Sequence, residues 1–279
     1  MKTRIVHLSE YELSGGGKLG ESYVHRSHPD VLLKLYPPEL GSLGLVEYER
    51  ACKVFQTGLP CPEPGQLVQT EDGRKGILYK RIVGKKSYAR ALSEHPERLQ
   101  EYAEAFAKAC KTLHSLRPEP GLFPSAKEQY KREIGFNPFL TPQEMDGAKR
   151  LIDSLAEGDT AVHGDLHHGN VIFTEDGTQY FIDLSDFCTG SPFWDLGIVM
   201  LQTCWLPEQV EKELYHIDVA TSTAFWKAFV KAYFGQDASL EQVQEMLRPY
   251  AFLRILINER VVGSPLEKIR PALHELLGI

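Results

Sequence analysis

The segment His163-Gly164-Asp165-Leu166-His167-His168-Gly169-Asn170, followed at Ile182-Asp183 by a second acidic position, constrains this 279-residue chain more than any other stretch. Apolar residues flank a polar turn here, Ala161-Val162 before it and Val171-Ile172-Phe173 after it. The turn carries Asp165 and Asn170, and the apolar run behind it reads as a short strand. Asp176-Gly177 reads as a hairpin turn into Tyr180-Phe181-Ile182, which brings Asp183 back beside Asn170. Any fold that accommodates the segment gathers three oxygen-bearing side chains on one loop cluster.

Such a cluster has a chemical use. Phosphoryl transfer from a nucleotide needs a carboxylate to orient the acceptor hydroxyl, and hard oxygen ligands to hold magnesium against the phosphates. Asp165 and Asn170 stand five apart, which is the spacing of the catalytic Asp and the metal-binding Asn in the protein-kinase signature. On these residues the segment resembles the catalytic loop of the aminoglycoside phosphotransferase and choline kinase-like family, small phosphotransferases of bacterial type in which His-Gly-Asp replaces His-Arg-Asp. Ile182-Asp183-Leu184-Ser185-Asp186-Phe187 and Gly190-Ser191-Pro192-Phe193-Trp194-Asp195-Leu196-Gly197 resemble that family's metal-Asp segment and its closing Asp-Leu-Ala/Gly motif.

The resemblance implies an α+β, protein kinase-like two-lobed fold. It implies Asp165 as the catalytic carboxylate, Asn170 and Asp183 as magnesium ligands, ATP or GTP as donor and a small-molecule hydroxyl as acceptor. Asp195 is expected to anchor the catalytic loop from the start of a helix. Asp186 reads equally as a further carboxylate of the site and as an exposed turn residue. The competing reading is a His-rich loop of a binuclear metallohydrolase, but His163, His167 and His168 are too close together to supply ligands that such sites draw from several strand ends. His163 and His167 are therefore expected to brace the loop by hydrogen bonds, with His168 exposed.

Patterning along the chain gives a division near Gly84, with a β-rich nucleotide-binding lobe over residues 1–84 and a mainly helical catalytic and acceptor-binding lobe over 85–279. Before it, short β-prone runs alternate with turn signals: Thr3 to Leu8, Ser22 to His25, Val31 to Leu35, Gln66 to Val68 and Gly76 to Lys80, with Asp72-Gly73 as a hairpin turn. One helix interrupts them, Leu45 to Thr57, with Leu45, Ala51, Val54 and Phe55 as its apolar face. After Gly84, Pro96 to Leu116 places Leu99, Ala103, Phe106, Cys110 and Leu113 on one helix face. Thr141-Pro142-Gln143-Glu144 and Ser264-Pro265-Leu266-Glu267 both read as capping boxes with Pro at the first helical position.

The first lobe holds the parts of a nucleotide grip. Gly15, Gly17 and Gly20 fit a Gly-x-Gly-x-x-Gly pattern whose backbone amides can approach phosphate oxygens. The strand-like Ser22-Tyr23-Val24-His25 after it fits a hairpin over a nucleotide better than a Rossmann turn, and a flexible glycine turn is the plain alternative. Lys34 sits in the apolar run Val31-Leu32-Leu33-Lys34-Leu35, where an inward ammonium needs a partner. The helix offers Glu47 and Glu49. Comparing Glu49-Arg50-Ala51 with the family's Glu-Ala-containing helix makes Glu49 the expected partner, with Glu47 as the alternative. Ile77 to Gly84 resembles the family's hinge, so the carbonyl of Lys80 and the amide of Ile82 are expected to meet an adenine edge, and Tyr79 either borders the purine pocket or fills core.

Charge and composition narrow the class. A formal charge of −7 argues against nucleic-acid binding through a basic face. Residues 1–84 carry 11 Lys/Arg against 10 Asp/Glu, and residues 85–279 carry 20 against 28. That asymmetry favours an amine-bearing acceptor over an anionic one, unless the helical carboxylates are only solvated. No apolar run is long enough to span a bilayer, and no signal peptide opens the chain, so no membrane partner is expected. Five scattered cysteines without a Cys-x-x-Cys pair suit a reducing, cytoplasmic setting without structural zinc. Asp183-Leu184-Ser185 in place of Asp-Phe-Gly, and the lack of Ala-Pro-Glu, disfavour a protein acceptor. The intact polar positions disfavour a regulatory module without turnover.

Overall fold

Short β-prone runs punctuated by Gly, Pro and Asp form strands in the computed structural model, which describes residues 4–17, 20–262 and 266–279. In chain order the strands are β1 (Arg4–Val6), β2 (Tyr11–Gly17), β3 (Gly20–His25), β4 (Val31–Leu35), β5 (Pro64–Thr70), β6 (Lys75–Lys80), β7 (Lys86–Ser87), β8 (Thr160–Val162), β9 (Val171–Phe173), β10 (Gln179–Phe181) and β11 (Cys188–Gly190). The helices are α1 (Gly41–Gln56), α2 (Tyr88–Glu94), α3 (Leu99–Ser115), α4 (Ala126–Gly135), α5 (Pro142–Ser154), α6 (Phe193–Met200), α7 (Glu208–Tyr215), α8 (Val219–Phe234), α9 (Leu240–Val262) and α10 (Leu266–Leu277). Among the described residues no helix is long and apolar enough to cross a membrane. The architecture is the expected α+β one, with a strand-rich unit and a mainly helical unit.

Two compact units result, Met1–Ser87 with Asn170–Asp186, and Tyr88–Gly169 with Phe187–Ile279. They differ from a single cut at Gly84 for a physical reason. The β9–β10 hairpin pairs through β9 with β7, Lys86 opposite Phe173 and Ser87 opposite Ile172, and the Phe181 amide donates to the Pro60 carbonyl at 2.9 Å. These bonds tie a late stretch of chain to the first unit.

The first unit is built on a six-stranded sheet in the order β1-β5-β6-β4-β3-β2, antiparallel except where β1 runs parallel to β5. Side chains alternate across a strand, so Leu33 and Leu35 of β4 join Val6, Tyr11 and Val68 in one buried cluster while Lys34 turns to the other face. The glycine run 15–17 lies inside β2, and the expected hairpin forms with Gly15 opposite Ser22 and Gly17 opposite Gly20. Its tip, Lys18-Leu19, lies outside the described residues. Helix α1 starts at Gly41, four residues before the expected Leu45, and its buried stripe is Gly44, Glu47, Ala51 and Val54; Leu45 and Phe55 are exposed.

The second unit is mainly helical. Helix α3 buries Ala103, Phe106, Cys110 and Leu113 as its periodicity predicts. Helix α5 carries the expected capping box, with the Glu144 amide donating to the Thr141 hydroxyl at 3.2 Å and the Thr141 amide to the Glu144 carboxylate at 2.8 Å. The second expected box begins at Ser264-Pro265, outside the described residues. Gly197 sets how closely α6 packs on α9. A Cβ there would stand 2.6 Å from the Tyr250 Cβ, so only glycine lets the two helices approach backbone to backbone. Strand β8 pairs with β11, Val162 opposite Cys188, and from Val162 the chain enters the His163–Asn170 loop.

Candidate active site

The functional groups fall into two sets, one within each unit. In the first unit Lys34 leaves β4 toward α1, where its ammonium donates to both oxygens of Glu47 at 2.8 and 2.7 Å, and it also pairs with the Asp183 carboxylate. Burial alone would push the ammonium down, but Asp183 and Glu47 more than offset this and hold its pKa above the ordinary lysine range. Glu47 is buried at 4% exposure, and the Tyr79 hydroxyl donates to it at 3.1 Å. The expected partner Glu49 is exposed and does not make this bond. The reason is helix phase: residues two apart point to different faces, and Glu47 shares a stripe with Gly44, Ala51 and Val54. Tyr79, one of whose readings placed it beside a purine, is instead a buried brace for Glu47.

Asp183 is reached from the β9–β10 hairpin. Its φ of 60° is one of two positive values among the described non-glycine residues, a left-handed backbone that Asp tolerates better than most and that recurs at functional sites. The Ile182 amide donates to the Asn170 carbonyl at 3.0 Å, so the Asn170 amide and the Asp183 carboxylate leave neighbouring backbone positions. Asn170 is buried, whereas the Asp183 side chain keeps 39% of its surface open.

In the second unit the backbone of the loop that follows β8 hangs on Asp195. This fully buried carboxylate accepts from the amides of His163 at 2.8 Å and Gly164 at 2.9 Å, and contacts the His114 Nε2 at 3.1 Å, while the His114 Nδ1 lies 2.8 Å from the Tyr233 hydroxyl. The anchoring expected of Asp195 is thus observed. His163 Nδ1 accepts from the Asp165 amide at 3.2 Å and His167 Nδ1 from the Gly169 amide at 3.0 Å, so both histidines brace the loop. His168 is not exposed as expected. It is buried against Tyr215 and Phe225, and burial pushes its imidazole down to about 3, which keeps it neutral. Asp165 pairs with Arg254 of α9, Nη2 to Oδ1 at 2.8 Å, a partner 89 residues away that the sequence does not flag.

The remaining expected positions are distributed over the first unit. A Cβ on Gly20 would stand 2.5 Å from the Leu35 carbonyl oxygen, so strand packing alone demands this glycine; around Gly15 the space is open. In the stretch expected to be a hinge, the Lys80 amide donates to the Glu63 carbonyl at 2.9 Å and the Arg81 amide to the Asp30 carbonyl. A cavity of about 570 Å³ lies against Lys80, Ile82, Glu63, Phe55, Asp176 and Tyr180, and its wall does not include Lys34, Glu47 or Asp183.

A family model described as the phosphotransferase enzyme family matches residues 13–241, a span holding Lys34, Glu47, Asp165, Asn170, Asp183 and Asp195. The chain belongs to that family. This phosphotransferase is similar in structure to an aminoglycoside-3'-phosphotransferase of type VIII, with 19% identity over 88% of this chain and 94% of the other at a TM-score of 0.62. It is also similar to an aminoglycoside phosphotransferase from Streptomyces rimosus in complex with ADP and streptomycin, with 19% identity, 88% and 92% coverage and a TM-score of 0.57. A choline/ethanolamine kinase family protein from Mesorhizobium loti aligns at 16% identity over 96% and 85% with a TM-score of 0.52. At these identities the likeness shows a shared fold. No curated protein matches this phosphotransferase in sequence.

Proposed function

We propose that this phosphotransferase moves the γ-phosphoryl group of ATP or GTP to a hydroxyl of a small molecule in a magnesium-dependent reaction. The observation that carries the reading is the Lys34 ammonium clamped by both oxygens of Glu47 beside the partly open Asp183. A buried cation held by Glu47 is oriented in advance, and the donor it shares with Asp183 can pass to phosphate oxygens when the nucleotide binds. Lys34 holds the donor phosphates, Glu47 holds Lys34, and Tyr79 holds Glu47. Asp165 orients the acceptor hydroxyl and takes its proton, with Asp195 fixing the loop that presents it. Amides of the Gly15–Gly17 stretch and of Gly20 approach the phosphates, and the Lys80 carbonyl and Ile82 amide meet the base edge.

Asn170 and Asp183 fit magnesium. They are an amide and a carboxylate, both hard oxygen donors, and they leave adjacent backbone positions. Bound there, the ion would neutralise charge on the phosphates. A small acceptor is supported by the streptomycin bound to one structural neighbour and by the choline/ethanolamine kinase family of another. The acidic balance of residues 85–279, 28 Asp/Glu against 20 Lys/Arg, favours an amine-bearing alcohol among such acceptors.

The test is a transfer assay with magnesium ATP and magnesium GTP against streptomycin, choline, ethanolamine, neutral sugars and anionic hydroxy acids, with and without chelator. Transfer that needs the metal and favours amine-bearing alcohols is the expected result. Preference for an anionic hydroxy acid would reject the acceptor assignment, and transfer unaffected by chelation would reject the metal dependence.

A further inference from the structure

Arg254 has no part in the roles assigned to Lys34, Asp165, Asn170 and Asp183, lies beyond the matched span 13–241, and is 5% exposed. Its guanidinium reaches Asp165 Oδ1 at 2.8 Å, and the two side chains come from helix α9 and from the catalytic loop of the same unit. Two features make this contact a built one. The α6–α9 approach at Gly197 brings α9 backbone-close to the helix that carries Asp195, so the helix pair fixes the loop twice, through Asp195 on its amides and through Arg254 on its carboxylate. Pro249, inside α9 five residues before Arg254, interrupts the helix hydrogen-bond ladder and allows a local kink there.

We propose that Arg254 is the positioning residue of Asp165, holding one carboxylate oxygen in place so that the other faces the acceptor hydroxyl. Its charge also favours the ionised form of this partly buried group. The inference rests on the reading of Asp165 as the catalytic carboxylate and deepens it. Among the described residues, the groups facing Asp165 include Arg254 from α9, His163 and His167 from the loop, with His167 Nε2 3.9 Å from Oδ2, and Tyr215 from α7. Burial pushes the Asp165 carboxyl up, and Arg254 with the two histidines more than reverses this, so it stays below the ordinary carboxylate range. A lysine would return the charge without the planar fork that sets the carboxylate's orientation.

The experiment compares wild type, Arg254→Gln, Arg254→Lys and Asp165→Asn. One readout is titration of the Asp165 carboxyl by NMR on carboxyl-labelled aspartate, assigned by its loss in Asp165→Asn. The other is turnover of magnesium ATP with water as acceptor across pH. In Arg254→Gln the Asp165 titration and the acid limb of turnover both move to higher pH. In Arg254→Lys they stay near wild type while kcat falls by about 10- to 100-fold, a cost typical of misplacing a reacting group, and the KM for magnesium ATP holds. An unchanged Asp165 titration in Arg254→Gln overturns the proposal. If that variant does not fold, Arg254→Lys decides: wild-type kcat, or an acid limb shifted as far as loss of the charge would shift it, overturns the proposal. Turnover unaffected in Asp165→Asn would instead reject the catalytic role of Asp165, while the titration still reports on the pair.

Discussion

Asp183 and Asp195 are both acidic and both hold a cationic or N–H partner, yet they sit in opposite regimes. Asp195, in the second unit, is fully buried, and backbone amides and His114 fix its oxygens. Asp183, in the first, projects from a left-handed backbone with 39% of its side chain open and shares Lys34 with the buried Glu47. A carboxylate saturated by the protein's own backbone is scaffolding, since replacing those bonds by a ligand would strand buried amides. A carboxylate that is open and held by an exchangeable ion pair can change partners when phosphate and metal arrive. Asp165 stands between the two, with 25% of its side chain open and one oxygen held by Arg254.

The largest effect should come from breaking the Lys34 clamp. Glu47→Ala leaves a buried ammonium with fewer partners, a loss that reaches about 3–5 kcal/mol when a buried pair is broken outright and less here because Asp183 remains. Catalytic efficiency should fall steeply in Lys34→Ala and in Glu47→Ala, and the double variant should be non-additive by about 0.5–3 kcal/mol. Glu49→Ala should behave nearly as wild type. Coupling of Lys34 to Glu49 instead would break the comparison, because the grip would then not be the buried one.

A middle effect separates the units. Gly197→Ala forces a Cβ to within 2.6 Å of Tyr250 and 3.0 Å of the Ala251 amide, an overpacking that costs about 1–3 kcal/mol. Thermal unfolding should begin lower and turnover should drop, while magnesium-nucleotide binding by the first unit holds. Loss of binding in proportion to turnover would show that the two sets are not separable.

The smallest effect concerns acid stability. Burial pushes Glu144 up, but the Thr141 amide, Arg270 at 2.8 Å and His274 at 2.9 Å hold it down to about 2, against an ordinary 4.5. A depressed carboxyl stabilises the fold above its unfolded value and loses that contribution as pH falls through the folded one. Glu144→Gln should therefore cost about 1 kcal/mol at neutral pH, given its partly exposed partners. The gap in melting temperature should close between pH 4.5 and 2, and a gap independent of pH would remove Glu144 from the charge account.

What the sequence made legible tracks the range of the interactions. Asn170 and Asp183 sit on one hairpin and Asp165 on a short loop of the other unit, each shaped by its own local sequence, and the strand β9 ends where its apolar run ends. The choice between Glu47 and Glu49 depended on the phase of α1, which the comparison of Glu49-Arg50-Ala51 with the family's helix did not fix, and Leu45 and Phe55 of the expected apolar face are exposed. The stripe Gly44, Glu47, Ala51, Val54 was the available signal, hidden because its members are small or charged. Gly44 is small because a Cβ there would stand 2.8 Å from the Tyr36 ring. Arg254 had no local signal, since its partner lies 89 residues away, and His168 is buried by aromatic residues from α7 and α8 that no pattern near the loop announces.

The proposed division of labour between Asp183 as an open metal-side carboxylate and Asp165 as a held catalytic one is tested most directly by calorimetry of magnesium-ATP binding, paired with turnover, on Asp165→Asn and Asp183→Asn. Asp165→Asn should bind magnesium ATP nearly as wild type and lose turnover by about 10²–10⁴-fold, the range for a positioned general base. Asp183→Asn should weaken the metal-dependent part of binding itself. Weakened binding in Asp165→Asn together with unchanged binding in Asp183→Asn would contradict the assignment and exchange the two roles.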